Sequence, residues 1–169
     1  MTIVLVEGNS DRVALEEFAR RLGIAPPTIM AIGGAHAAAR VAANIRETTP
    51  HQRIIGMVDA GEQRSFARAI DEVFICDRDL EDELIRGLGI EATLQVIEQQ
   101  GELDSFRTLQ KQPAYRDRPL VDQVRQFLHG RSGNKTRYAA LFAEAIDLRK
   151  IPTPLKDVLA AATGSLPKD

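Results

Sequence analysis

The sequence predicts a fold of the α/β class, with a mainly parallel sheet of about four strands, helices on both faces of the sheet and a helical C-terminal region. In the first half, short apolar runs alternate with segments of helical periodicity, which is the pattern of strand–helix units. The runs are apolar throughout rather than at alternate positions, as is typical of parallel strands buried on both faces. The second half contains helical periodicity alone.

The first strand–helix unit begins with the apolar, β-branched run at residues 2–6. Ser10 can cap the helix that follows at residues 10–22, and a glycine can end it. After two prolines, residues 28–32 form the second predicted strand. A pair of glycines then turns the chain into an alanine-rich helix at residues 35–47.

The third and fourth strands are predicted at residues 54–58 and 73–76, which are again apolar runs. A short helix at residues 62–70 separates them. Asp79 can cap the next helix, residues 80–88, and the carboxylates in its first turn suit the positive end of the helix dipole.

The second half is interrupted by a polar, proline-containing segment at residues 111–119 and by a basic loop at residues 129–134. The tail, residues 164–169, is expected to fray. We therefore divide the chain into an α/β core, residues 1–100, and a helical extension, residues 101–169, that packs on the core. The predicted helices of the second half are residues 90–100, 120–128, 135–146 and 155–162.

Length and composition are those of an ordinary globular protein, since the 169 residues are 44% apolar and 27% charged. No apolar run approaches the roughly 18 residues of a membrane-spanning helix, and the apolar N-terminus lacks the basic flank of a signal peptide. The single cysteine, Cys76, excludes an internal disulfide and is typical of the reducing cytoplasm. We therefore expect a cytoplasmic protein without a membrane partner.

The net charge of -2 does not favour unaided binding of nucleic acid, because proteins that grip DNA alone are usually basic. Basic residues do concentrate late in the chain. They form either solvated helix faces or a local patch for nucleic acid, and the sequence leaves both interpretations open. These residues are Arg116, Arg118, Arg125, Arg131, Lys135, Arg137, Arg149 and Lys150.

Acidic residues follow three of the predicted strands. Glu7 and Asp11 flank the turn after the first strand, Asp59 comes directly after the third, and Glu81 follows the fourth. Because ligands of parallel sheets bind outside the carboxyl ends of the strands, we expect these carboxylates to converge. Gathered carboxylates repel one another unless a cation neutralises them, and hard oxygen ligands select Mg²⁺, Mn²⁺ or Ca²⁺. The pattern predicts a divalent-metal site, and such an ion can polarise a phosphoryl oxygen and activate water.

Each acidic residue taken alone has a second interpretation. Asp11 or Glu81 by itself would more often be a helix cap than a ligand. Asp82 and Glu83 are interpreted as part of a solvated helix face. Glu7 differs, because a carboxylate at a strand end has no capping role there.

Three motifs resemble those of one protein family. The segment VEGNSD at residues 6–11 resembles the first motif of the Toprim fold, and its VEG-x-SD form resembles that of the overcoming-lysogenization-defect (OLD) nucleases. The segment DLEDEL at residues 79–84 is similar to the third motif of that group. The segment GNKTRYA at residues 133–139 resembles the part of OLD nucleases that carries a lysine at the active site. The resemblance covers about residues 3–147 and implies a Rossmann-like Toprim sheet in residues 1–100.

The resemblance also implies roles for individual residues. Glu7, Asp11, Asp59 and Glu81 would hold Mg²⁺ or Mn²⁺, with Ca²⁺ as a substitute in vitro. Lys135 would join Glu7 and Asp59 as a catalytic residue by offsetting charge at the scissile phosphate. From the sequence alone, Lys135 is equally consistent with an ordinary surface lysine at a helix start.

Two departures from the family pattern stand out. Toprim proteins usually carry Asp-x-Asp at the second motif, and here Gly61 stands in place of the second aspartate. Glu62 could substitute with its longer side chain, water could fill the position, or a second ion could bind weakly. OLD nucleases typically include an ATPase domain, but the sequence has no GxxxxGK[ST] phosphate loop, so we expect any ATPase to be a separate partner.

The predicted function is hydrolysis of phosphodiester bonds by a metal-dependent endonuclease that acts on DNA rather than RNA. One alternative is a non-catalytic module that binds metal or nucleic acid and regulates or partners an ATPase. Another is an RNA-processing enzyme on the same scaffold. A homodimer is left open, since the helical second half could supply its interface.

Overall fold

The computed structural model describes residues 1–164 of the chain, and a parallel sheet lies at its centre. Its strands are β1 (Thr2–Val6), β2 (Thr28–Ala31), β3 (Arg53–Asp59) and β4 (Glu72–Cys76). They lie in the order β2-β1-β3-β4, and every pairing is parallel. The predicted α/β class with a mainly parallel four-stranded sheet is therefore confirmed.

The strand–helix alternation of the first half gives way to consecutive helices after β4. Short 3-10 turns lie at Ala35–Ala37, Ala60–Glu62 and Leu148–Lys150. The α-helices of the described residues are α1 (Asn9–Arg21), α2 (Ala38–Thr48), α3 (Gln63–Ala67), α4 (Leu80–Leu88), α5 (Ile90–Gln99), α6 (Leu103–Gln110), α7 (Leu120–His129), α8 (Asn134–Ala145) and α9 (Thr153–Thr163).

The two faces of the sheet have separate hydrophobic cores, because successive side chains of a strand point to opposite faces. Ile3 and Leu5 belong to a smaller core with α2 and α3. Val4 and Val6 belong to a larger core with α1 and with α4 to α9. The helical second half therefore packs on the same face of the sheet as α1.

Gly56 of β3 marks the closest approach of α3 to the sheet. A Cβ atom built on Gly56 would lie 2.5 Å from Cδ1 of Ile70 and 2.8 Å from Cδ1 of Phe66. Real Cβ atoms do not approach other atoms so closely, so any side chain here would push α3 and the following turn away from the sheet.

The predicted elements differ from the structure in a few places. Ser10 is not the N-cap of the first helix, because α1 begins at Asn9 and Gly8 takes the cap position. Helix α6 was not predicted, since its eight residues carry too few apolar positions to show a period, and Phe106 is its buried residue. From residue 165 onward, the tail predicted to fray lies outside the described residues.

None of the helices within residues 1–164 combines the length and apolar character needed to cross a membrane. Cys76, at the end of β4, is buried in the larger core, and burial raises the pKa of its thiol above the ordinary value.

Candidate active site

The strand order reverses between β1 and β3, since β2 lies on one side of β1 and β3 with β4 on the other. A crevice forms at such a point outside the carboxyl ends of the strands, and ligands of open α/β sheets bind there. Val6 of β1 lies beside Met57 of β3, so both strands reach the crevice together. Glu7 follows β1 directly, and Asp59 is the last residue of β3.

A cavity of about 70 Å³ at this crevice, here called the carboxylate pocket, brings the predicted residues together. The strand ends supply two carboxylates, the first turns of α1 and α4 supply one each, and the first turn of α8 supplies a lysine. The residues that line it are Glu7, Gly8, Ser10, Asp11, Asp59, Leu80, Glu81 and Lys135.

Asp11 caps the start of α1 and also lines the carboxylate pocket. Its Oδ2 accepts a hydrogen bond of 2.9 Å from the N–H of Gly8, which closes the first turn of α1. The side chain is buried, and burial raises its pKa to about 6. The Gly8 N–H opposes the rise, and the charges of Glu81 and Glu7 add to it.

Asp59 experiences the same crowding more strongly. Burial, together with the negative charges of Asp11, Asp79, Glu7 and Glu81, raises its pKa to about 7. Repulsion from four other carboxylates means that full ionisation of this pocket at neutral pH requires a compensating positive charge.

Glu81 reaches the pocket because Asp79 sets the start of α4. The Asp79 side chain accepts a hydrogen bond of 2.9 Å from the N–H of Asp82, as predicted for the cap of this helix. Glu81 in the first turn is only 4% exposed, so it is not a solvated capping residue. Its Oε1 lies 3.0 Å from Nζ of Lys135, an ion pair outside good hydrogen-bond geometry.

Lys135 reaches this ion pair from the first turn of α8. The loop before α8 turns at Gly133, whose φ of 81° is left-handed, a conformation that glycine adopts without strain. Partial burial by itself lowers the pKa of the Lys135 ammonium, but the carboxylates of Glu81, Asp11 and Asp59 together outweigh burial, so the pKa is raised. Lys135 therefore lines the carboxylate pocket and is paired with one of its carboxylates.

Three acidic residues near these motifs are not among those that line the carboxylate pocket. Glu62, the alternative ligand, is not among the residues that line the carboxylate pocket. Glu83 is buried rather than solvated, because its Oε1 accepts from the N–H of Asp77 at 2.8 Å and pairs with Arg86 at 2.9 Å. Asp82 also pairs with Arg86, at 3.0 Å. An arginine three and four positions later on the same helix was the available sequence signal.

The donor chemistry of the carboxylate pocket fits a hard divalent cation, because carboxylate oxygens line it, and burial with mutual repulsion raises the pKa values of two of them. Within the described residues, however, no group of three His, Cys, Asp or Glu side chains is arranged to hold a metal ion. Glu81 faces Lys135 and Asp11 holds the Gly8 N–H, so a bound ion would compete for both.

Most of the late basic residues are paired with carboxylates rather than gathered in one open patch. Arg131 and Arg137 both pair with Glu102, which also accepts from the hydroxyl of Tyr138. Arg125 pairs with Asp79. The pairs of Arg116 and Arg149, with Asp117 and Asp147, are local and exposed.

Sequence reasoning did not predict the contacts of Glu102 and Arg125, which hold the loop before α8 and the start of α4. Each is joined to its partner across a long stretch of chain, 36 residues between Glu102 and Tyr138 and 46 between Asp79 and Arg125. No local pattern in the sequence indicates either contact.

Comparison with known proteins identifies a related fold. No family model matches the chain, and no curated protein matches it in sequence. Among solved structures, the chain is similar to the C-terminal region of the Burkholderia pseudomallei OLD protein, with a TM-score of 0.62 and 19% sequence identity. The similarity covers 95% of this chain and 96% of that one. At this identity the comparison shows a shared fold.

Proposed function

We propose that this protein is a divalent-metal-dependent nuclease that hydrolyses phosphodiester bonds, with DNA as its substrate. The observation that carries the proposal is the convergence of four carboxylates and a lysine on one small pocket at the strand-order reversal of a parallel sheet. The shared fold with the C-terminal region of an OLD protein supports it, as does the resemblance of residues 6–11 to the first motif of OLD nucleases.

In this proposal Glu7, Asp11, Asp59 and Glu81 hold Mg²⁺ or Mn²⁺, and Ca²⁺ can substitute as a non-activating ion. The bound ion supplies a Lewis acid that polarises a phosphoryl oxygen and offsets the charge of the carboxylates. Glu7 and Asp59 are the carboxylates placed directly at the strand ends, where the scissile phosphate would lie.

Lys135 has a separate role in the proposal. Its ammonium is half-exposed and lies at the mouth of the pocket beside Glu81. An ammonium held there can neutralise charge that develops on the phosphate during hydrolysis, without changing its own protonation. We further propose that an ATPase, if required, is a separate partner.

A second candidate function is a non-catalytic module that binds metal or nucleic acid. Gly61 favours it, because the position that usually carries a second aspartate has no side chain, and Glu62 does not line the pocket. This module would bind cations without cleaving nucleic acid.

The test is cleavage of supercoiled plasmid DNA and of a matched RNA by purified protein in Mn²⁺, compared with Glu7→Gln. Glu7→Gln preserves the size of the side chain but removes its charge. Glu16→Gln, the same change at an exposed position of α1, is the control. We expect wild type and Glu16→Gln to nick DNA and Glu7→Gln to lose nicking by about a hundredfold or more, the size expected for loss of a catalytic group.

Other outcomes separate the candidates. If Glu7→Gln still nicks DNA, the carboxylate pocket is not the active site. RNA cut while DNA survives would identify the RNA-processing alternative. A Mn²⁺-dependent rise in melting temperature that Glu7→Gln loses, without any cleavage, would identify the non-catalytic module.

A further inference from the structure

A second cavity, of about 270 Å³, lies beside α7 and is lined mainly by nitrogen donors. We call it the basic pocket. Its guanidinium groups come from three places: Arg78 follows β4, Arg118 precedes α7, and Arg125 lies within α7. The residues that line it are Arg78, Arg118, Asp122, Arg125, Gln126 and His129.

Asp122 orients two of the three guanidinium groups. Its Oδ1 accepts from Nη1 of Arg78 at 2.6 Å and from Nη1 of Arg125 at 3.4 Å. The hydrogen bond from Arg78 holds the pKa of Asp122 below its ordinary value, so the acid stays ionised. Arg125 is also paired with Asp79 behind the pocket, which makes it the buried member of the set.

Arg118 is the guanidinium that remains available. In the part of the chain that the structure describes, Arg118 has no carboxylate partner, and its Cζ lies 5.2 Å from the ring centroid of Tyr115. The ring holds the guanidinium by a cation–π contact and leaves its N–H groups free to donate. Three guanidinium charges thus face Asp122 and Asp79, and the pocket keeps a net positive charge in a chain whose net charge is -2.

The basic pocket is next to the carboxylate pocket. Arg78 lines the former and Leu80 the latter, and two residues of extended chain span at most about 7 Å. Asp79 lies between them, where its side chain holds Arg125 and its charge raises the pKa of Asp59. A ligand with one anionic group per nucleotide can therefore reach both pockets at once.

We propose that the basic pocket binds a backbone phosphate of DNA beside the phosphodiester that lies at the carboxylate pocket. Arg118 and Arg78 donate to the phosphate oxygens, because guanidinium groups match phosphate geometry. Arg125 positions the pocket through Asp122 and Asp79. That the ligand is DNA rests on the proposed function. That it carries a phosphate rests on the arginines that line the basic pocket.

The test is binding of a fluorescein-labelled DNA duplex in EDTA, measured by anisotropy at several salt concentrations, so that no cleavage occurs. We expect Arg118→Gln to weaken binding about fivefold and to reduce the slope of log K against log salt by about one, as for loss of one phosphate contact. The matched control is Arg40→Gln, at an exposed position of α2 on the other face of the sheet, and it should leave both values unchanged.

Several results would overturn the proposal: no binding of DNA by wild type, equal weakening by Arg118→Gln and Arg40→Gln, or an unchanged salt slope in Arg118→Gln. Calorimetric titration with inorganic phosphate distinguishes free phosphate from a DNA backbone phosphate as the ligand of the basic pocket. Phosphate binding lost in Arg118→Gln, with DNA binding intact, would assign the pocket to free phosphate and overturn the backbone assignment. Absence of nuclease activity, with the Arg118 effect intact, would overturn only the proposed function.

Discussion

The ammonium of Lys135 lies 3.0 Å from Oε1 of Glu81 and thereby joins the first turn of α8 to the first turn of α4 across the carboxylate pocket. Glu81 is almost fully buried and Lys135 is half-exposed, so the burial of this salt bridge is intermediate between that of surface pairs and that of buried pairs. Removing the lysine leaves a buried carboxylate among other carboxylates, which is costly unless another cation takes its place.

We therefore expect Lys135→Met to lower the free energy of unfolding by about 1–2 kcal/mol in EDTA, between the values for exposed and buried pairs. In saturating Mg²⁺ the loss of unfolding free energy should be smaller, because the bound ion neutralises the Glu81 carboxylate in place of the ammonium. Urea denaturation in EDTA and in Mg²⁺ measures both. Lys156→Met, at an exposed position of α9, should change neither. An equal loss with and without Mg²⁺ would contradict a cation site beside Glu81.

The raised pKa values of Asp59 and Asp11 predict the pH dependence of the metal-free protein. Both carboxyls bind protons in the folded state over a pH range where the unfolded chain has lost them. Their contribution to the free energy of unfolding is therefore complete at low pH and is lost as the pH rises from about 4 to about 7. For Asp11, the rise from 3.8 to about 6 corresponds to at most about 3 kcal/mol. The urea midpoint of unfolding, measured in EDTA, should therefore decrease as the pH rises from about 5.5 to about 8.

Two comparisons control this experiment. Asp59→Asn should flatten the decrease, because an amide does not titrate. Carboxyls with lowered pKa values, such as Glu102 and Asp122, complete their titration below this window and do not mask the effect. Saturating Mn²⁺ should also flatten the curve by favouring the ionised carboxylates. A midpoint that rises through this window would show that the two carboxylates do not govern it.

The sequence predicted the sheet well because its strands are continuous apolar runs bounded by glycine, proline and capping residues. It also predicted which acidic residues would converge, because residues at the ends of parallel strands share one edge of the sheet whatever the details of packing. Glu7 and Asp59 needed only this topological rule. The placement of Lys135 came from a motif resemblance, since nothing local distinguishes it from a surface lysine.

What the sequence did not predict depends on contacts between distant segments. The buried state of Arg125, for example, arises from Asp79, 46 residues earlier in the chain. The basic pocket likewise needs the loop after β4 and helix α7 to lie side by side. Such packing is fixed by the larger core, whose geometry no periodicity specifies.

Gly56 provides a test of the packing that holds α3 against the sheet. Gly56→Ala should lower the free energy of unfolding by about 1–3 kcal/mol, because its Cβ would clash with Ile70 and Phe66. Chemical denaturation measures the loss. Gly61→Ala is the matched control, since a Cβ there meets nothing within 4 Å and should cost little. Equal stability of the two variants would mean that α3 moves freely on β3.

The same open space at Gly61 allows the missing carboxylate of the second motif to be restored. Gly61→Asp places an acid two residues after Asp59 without a steric clash. If the carboxylate pocket holds a cation, one additional ligand worth about 1.4 kcal/mol would tighten Mn²⁺ binding about tenfold. In EDTA the same variant should be less stable than wild type, because another negative charge joins a crowded site. Calorimetric titration with Mn²⁺ measures the affinity, and Gly61→Asn, similar in size but uncharged, is the control. Equal Mn²⁺ affinity in Gly61→Asp and Gly61→Asn would count against an ion held between Asp59 and Glu7.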